Sequence, residues 1–334
     1  MHMGKISSAV AVIAFSVLLG ACSDDTGKVT DHLEKANQYL TKADSRAAIL
    51  ELKSALQLDI DNVAARLMLG RAYLAQGFGA AASKELTAAR RLGSDDAQLS
   101  IDIARSMVMA GEFDAALKAV EKDGADSVRW KTVAGFAQLG KQQLKLARES
   151  FEQALNLDQA DTEARRGLAQ AIFASGDADL AKKQIEQALQ HNDKEVQTWA
   201  LKGELGLSLQ DLPAAQTSFE KVIELSPNSP LAHLGLARSL LAQNKVDAAA
   251  IHIRALERLK LNTPMVNYLR ALEARQKNDI TTARDALREV LSVAPNHAPS
   301  QLLMGQILLL QRDLDQAKDV LSRYVSQVPN NPAG

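Results

Sequence analysis

One cysteine, Cys22, occurs among 334 residues. With no second thiol the chain has no internal disulfide, so packing must hold its fold together. Prolines number 8 and glycines 18, too few for a low-complexity or disordered polymer beside 46% hydrophobic residues. Aromatic residues make up 4% and are scattered, which ranks a polysaccharide-binding or modifying protein, with its need for clustered aromatics, last among the readings. No charge sign dominates either, since 39 Lys and Arg stand against 40 Asp and Glu. The counterion-release drive of nucleic-acid binding is therefore missing, and no DNA or RNA partner is expected. The chemistry-bearing motifs are absent too. There is no HExxH, no i, i+4 histidine pair within a helix, no phosphate loop (Gly140-Lys141 lacks the upstream glycines) and no nucleophile elbow. The reading is a non-enzyme with no catalytic residue, metal, cofactor or small-molecule substrate.

What is present begins at the N-terminus. Lys5 precedes an uncharged apolar stretch from Ile6 to Leu19, then Leu19-Gly20-Ala21-Cys22 and the polar Ser23-Asp24-Asp25. A stretch this short does not span a bilayer and reads as a signal peptide over residues 1–21. Leu-Gly-Ala-Cys resembles the lipobox of bacterial lipoproteins, which implies diacylglycerol on the Cys22 thiol, cleavage before it and acylation of the new amino terminus. Several acyl chains together anchor stably. Residues 22–28, rich in Ser, Asp, Thr and Gly, read as a solvated tether. Ser23 at the place that governs sorting in such lipoproteins points to the outer membrane over the inner one, facing the periplasm of a Gram-negative envelope.

From residue 29 to 331 one pattern recurs, with starts at 29, 63, 97, 128, 162, 196, 230, 264 and 298. Eight copies are thirty-four residues long; the third is thirty-one, its connection shortened between Glu121 and Ser127. Position twenty is alanine in every copy: Ala48, Ala82, Ala116, Ala147, Ala181, Ala215, Ala249, Ala283 and Ala317. Four residues on, position twenty-four is large and apolar, from Leu52 through Phe151 and Phe219 to Leu321. That spacing puts both on one helix face, one to be packed against and one to pack. Gly77, Gly111, Gly176, Asn244, Asn278 and Asp279 break the pattern midway through five of the copies, so the copy reads as a helix pair.

A small residue at positions eight, twenty and twenty-seven with a proline near thirty-two (Pro227, Pro295, Pro329) resembles the tetratricopeptide repeat. The resemblance implies an all-α solenoid, a right-handed superhelix of about nine helix-turn-helix repeats with an extended concave wall. Trp199, at the fourth position where the family often has tryptophan, reads as core packing. In this family the wall is formed by positions two, five, nine and twelve of each first helix. Here that nominates Arg71, Arg105, Phe136, Arg166, Gln170, Arg238 and Tyr268 for partner binding, the arginines for carboxylates and the rings for stacking. The competing reading is a merely solvated helix face. Position five, mostly Leu33, Leu67, Ile101 and Leu234, lacks the lysine and asparagine of chaperone-tail adaptors. His233 and His252 either meet across a hairpin or are ordinary half-exposed helix residues.

The segments AAILELKSALQ (residues 47–57) and ARLMLGRAYLAQG (65–77), with Leu92 to Leu99, resemble the tetratricopeptide lipoprotein of the PEP-CTERM/exosortase system. That resemblance implies an envelope scaffold accompanying protein sorting and exopolysaccharide production, with protein or peptide partners. The alternative is a lipoprotein assisting assembly of outer-membrane proteins, pili or secretion complexes.

Overall fold

The computed structural model describes residues 18–328 except 43, 124, 125 and 262, with side chains from Thr26 onward. Among the described residues there are eighteen α-helices and no strand. They fall into two compact units, one ending at Gly167 and one beginning at Leu168. The first holds α1 (Leu18–Thr41), α2 (Ser45–Leu58), α3 (Val63–Ala75), α4 (Gly79–Arg91), α5 (Leu99–Met109), α6 (Phe113–Asp123), α7 (Val128–Gly140) and α8 (Leu144–Leu157). The boundary lies within α9 (Thr162–Ala174). The second holds α10 (Ala178–His191), α11 (Val196–Ser208), α12 (Leu212–Leu225), α13 (Pro230–Ala242), α14 (Val246–Arg258), α15 (Pro264–Gln276), α16 (Ile280–Val293), α17 (Ala298–Leu310) and α18 (Leu314–Gln327). Odd-numbered helices are the first members of the hairpins and even-numbered ones the second.

Two local differences from the sequence reading stand out. Helix α1 as described (Leu18–Thr41) includes residues 22–28, the segment that composition assigns to a tether. In the third copy the first helix begins at Leu99, behind a turn in which Gln98 N–H donates to Asp96 Oδ1 at 2.9 Å.

Side-chain caps start many of the helices. Asp44, Asn62, Ser127, Asp177, Asp211, Ser229, Thr263, Asp279 and Asp313 each accept from a backbone N–H three residues on, satisfying an otherwise orphaned donor. The bend inside each hairpin is made at position fifteen, where every described copy has positive φ: Gly77, Gly111 and Gly176 at 79° to 93°, and Gln142, Gln210, Asn244, Asn278 and Arg312 at 59° to 61°. Glycine takes this left-handed conformation freely, whereas another residue pays roughly 1–2 kcal/mol.

Packing follows residue size. All nine position-twenty alanines are fully buried, so neighbouring helices close directly onto their methyl groups. The position-twenty-four side chain then fills the seam towards the next hairpin. Where it is aliphatic, position six of the next first helix is a larger residue, as with Ile253 and Leu269 or Leu287 and Leu303, all buried. Where it is phenylalanine, glycine replaces that residue. Phe219 is enclosed between Gly203 and Gly235, and Phe151 between Gly135 and Gly167. A Cβ on Gly203 would lie 2.7 Å from the Phe219 ring and one on Gly135 2.6 Å from Phe151; the other two glycines are closer still.

Candidate functional site

In five of the nine copies, position four of the first helix performs one task with varied chemistry. Its side chain donates to the backbone carbonyl six residues earlier, in the turn that joins it to the preceding hairpin. Arg66 reaches Ile60 O at 2.6 Å, Arg165 reaches Gln159 O at 2.5 Å and the Trp199 indole reaches Asp193 O at 2.7 Å. His233 Nε2 reaches Pro227 O at 3.2 Å and Gln301 Nε2 reaches Pro295 O at 2.7 Å. Each bond satisfies a carbonyl that helix geometry leaves without a partner. Trp199 therefore both packs on the core and fixes a turn.

In three hairpins the same position meets position twenty-three on the second helix. His32 meets Glu51 at 2.6 Å and Arg66 meets Glu85 at 2.7 Å, the latter pair only 15% and 11% exposed. In the hairpin of α13 and α14 the slot holds two histidines, with His233 Nδ1 3.0 Å from His252 Nδ1. Burial holds both imidazoles below their ordinary pKa. Contact with His233 adds to this at His252, and Glu220 partly offsets it. The two rings do meet across the hairpin. Sequence alone does not show that they replace a charge pair.

Six of the seven nominated wall residues, all but Gln170, are seen with intramolecular partners. On α3, Arg71 Nε donates to Asp102 Oδ2 at 2.7 Å and its NH2 donates to Asp96 Oδ1 at 2.6 Å, locking α3 to α5 and the turn before it. The Arg71 hydrogen bond holds the Asp96 carboxyl below the usual carboxylate range, against partial burial. Arg105 on α5 reaches past α7 to Glu163 Oε1 on α9 at 2.8 Å. Arg166 lies 3.9 Å from Glu163, and its guanidinium stacks 5.0 Å over the ring of Phe136 on α7. Phe136 in turn meets Phe151 edge-on at 4.9 Å. The structure thus brings Arg105, Phe136 and Arg166 into one cluster on three successive first helices. Arg71 stands apart from it as an inter-repeat tie.

In the second unit, Gln170 is half-buried on α9. Arg238 on α13 lies 3.6 Å from Glu204 on α11. Tyr268 on α15 packs edge-on against His297 at 5.3 Å, and burial raises its hydroxyl pKa. A shallow hollow of about 400 Å³ lies beside Gln98, Ile101, Asp123, Ser127, Arg129 and Trp130, and one of about 630 Å³ beside Ile251, Arg254, Glu257 and Arg258. Among the described residues no group of three or more His, Cys, Asp or Glu is placed to hold a metal ion. No helix among them is long and apolar enough to cross a membrane. The signal peptide read over residues 1–21 lies outside the described residues as far as residue 17, and so does the Cys22 side chain.

Paired helices, fully buried alanines at a fixed position and repeated turn ties define the repeat. Tetratricopeptide repeat models match residues 67–127, 138–205, 207–273 and 274–334. The chain belongs to the tetratricopeptide repeat family. Tetratricopeptide arrays are scaffolds suited to protein–protein interaction. Among solved structures, a chain of the APC/C hetero-tetramer Cut9–Hcn1 superposes with a TM-score of 0.72 at 15% identity, over 95% of this chain and 63% of that one. This chain thus spans less than two thirds of that relative. A tetratricopeptide repeat protein from Parabacteroides merdae superposes with a TM-score of 0.50 at 19% identity, over 74% of this chain and 99% of that one. At such identities the likeness establishes the fold alone. No curated protein matches the chain.

Proposed function

We propose that this tetratricopeptide array is a lipid-anchored scaffold of a Gram-negative envelope, without catalytic activity, that holds protein or peptide partners of an exosortase and exopolysaccharide system. The observation that carries the reading is Cys22, the lone cysteine, placed directly after Leu19-Gly20-Ala21 and immediately ahead of the repeats. A thiol with no possible internal partner at that position is explained by acylation. The resemblance of residues 47–57 and 65–77 to the PEP-CTERM lipoprotein supports the choice of system.

The mechanism is geometric. An anchor keeps the array at the membrane surface, facing the periplasm and on the outer membrane, where several weak contacts along one wall raise the local concentration of a partner. The cluster of Arg105, Phe136 and Arg166 is the strongest element of that wall, since it sets the exposed Arg105 guanidinium beside an aromatic ring that the largely buried Arg166 backs.

Mass spectrometry of the mature N-terminus tests the anchor. Lipid-modified Cys22 at the first position is expected, with the uncleaved precursor accumulating in Cys22→Ser. A mature chain that retains Met1 and a free thiol refutes it. Crosslinking in the envelope tests the wall separately: the Arg105→Ala/Phe136→Ala protein should lose partners that the wild type captures. Identical partner sets would remove the wall assignment and leave the anchor untouched.

A further inference from the structure

The slot between positions four and twenty-three closes two hairpins of the first unit with acid–base partners, His32 hydrogen-bonded to Glu51 and Arg66 ion-paired with Glu85. Between α13 and α14 it holds His233 and His252, with Nδ1 atoms 3.0 Å apart. That distance is a hydrogen bond, so one nitrogen carries the proton and the other does not.

The turn decides which. Pro227 O can only accept, so His233 Nε2, 3.2 Å away, carries hydrogen. In its neutral form His233 then has a bare Nδ1, and His252 Nδ1–H is the donor. Proton uptake follows in order. His252 Nε2 takes the first proton, which leaves the Nδ1–H donor in place and keeps the bond, now charge-assisted, against the burial that disfavours charging of the ring. A further proton has to go to His233 Nδ1, which sets two N–H groups against each other across the same gap. The charged surroundings favour this order. Glu220 on α12 acts on His252 and favours its charged form, while Arg258 on α14 acts on His233 and opposes its charging. Among the described residues, no charge on α11 or α15 acts on either ring.

We propose that the His233–His252 pair is an acid-labile latch on the α13–α14 hairpin, surviving the first proton and opening on the second. The sign agrees with burial. Both rings hold protons less readily when folded than at the ordinary value of 6.5, so the opened hairpin binds more protons below that pH. Stability from the latch is full above about pH 6.5 and is lost as the pH falls through the folded pKa values.

Native-state hydrogen exchange on the full chain, corrected for intrinsic rates, reads this out. From pH 7.5 to 4.5 the opening constant of α13 and α14 amides should rise by up to roughly tenfold per pH unit for each extra proton bound on opening. Amides of α17 serve as the reference. His252→Glu gives the slot the pairing of His32 with Glu51, and its pH dependence should reverse: the protonated His233 donates to the carboxylate, and protection holds or rises as the pH falls. Matching profiles for the two proteins, or a flat wild-type profile, overturn the latch. Nitrogen-15 shifts of the wild-type rings give a second reading that needs no variant. His233 should be the Nε2–H tautomer at pH 7.5, and finding the proton on Nδ1 also overturns it.

Discussion

The exchange of phenylalanine plus glycine for two aliphatic residues across one seam makes a quantitative prediction. Gly235→Leu alone drives a side chain into the Phe219 ring. The ring cannot swing away, because a Cβ on Gly203 would already be 2.7 Å from it on the other side. Overpacking of this kind costs about 1–3 kcal/mol. Phe219→Ile alone leaves space that backbone on both sides cannot close, for about 2 kcal/mol, between the loss of one methylene and the truncation of a whole ring. The double variant restores the arrangement at Ile253 and Leu269, where both residues are buried without a glycine. It should lie within about 1 kcal/mol of wild type, a favourable coupling of roughly 3 kcal/mol at the upper end for residues in contact. Urea denaturation followed by helical circular dichroism measures the four proteins of the cycle. Hydrogen exchange in α12 and α13 locates the effect, since repeat arrays can unfold piecemeal. Additive losses, with the double variant about 4 kcal/mol down by the same sums, would refute the size-exchange reasoning.

Three further outcomes follow from the turns and ties. Gln210→Gly relieves a left-handed residue at φ 59° and should raise the melting temperature, with a gain of up to about 1 kcal/mol; a loss would show that the side chain, not the backbone, governs that bend. Trp199→Phe keeps the packing but deletes the donor to Asp193 O. It should cost about 0.5–1.5 kcal/mol in denaturant titration, and no change would mean that solvent satisfies the carbonyl equally well. Glu85→Ala removes the carboxylate from Arg66, which is 15% exposed and keeps its bonds to Ile60 O, and should cost about 1.5–3 kcal/mol, the range for a hydrogen bond to a charged group. A loss under about 0.5 kcal/mol would place the pair in effective solvent contact.

Much of the fold was legible in the sequence because the same local constraint is written nine times. An alanine that recurs at one position and is fully buried at each recurrence reports a contact between helix backbones that tolerates nothing larger. Glycines at 77, 111 and 176 announce a bend, but Gln142, Gln210 and Arg312 adopt the same φ without announcing it, because tertiary packing overrides their preference. Position four was hidden for another reason. Arginine, tryptophan, histidine and glutamine share only an N–H at the tip, so a search by residue type misses what a search by donor would find. The wall residues could be named from their register. Their partners could not, since Arg71 answers to Asp102 thirty-one residues on and Arg105 to Glu163 fifty-eight on. Sequence spacing carries no signal for such distant pairings.

The Arg105–Glu163 bridge changes how the first unit should respond to force. A chain of repeats that touch only their neighbours comes apart link by link, like beads leaving a string. A bond from α5 to α9 vaults over α7, so the intervening hairpin cannot peel off while both ends of the bond stay clasped. At 45% and 36% exposure it adds no more than about 1 kcal/mol, yet it adds this as a crosswise stay from α5 to the start of α9.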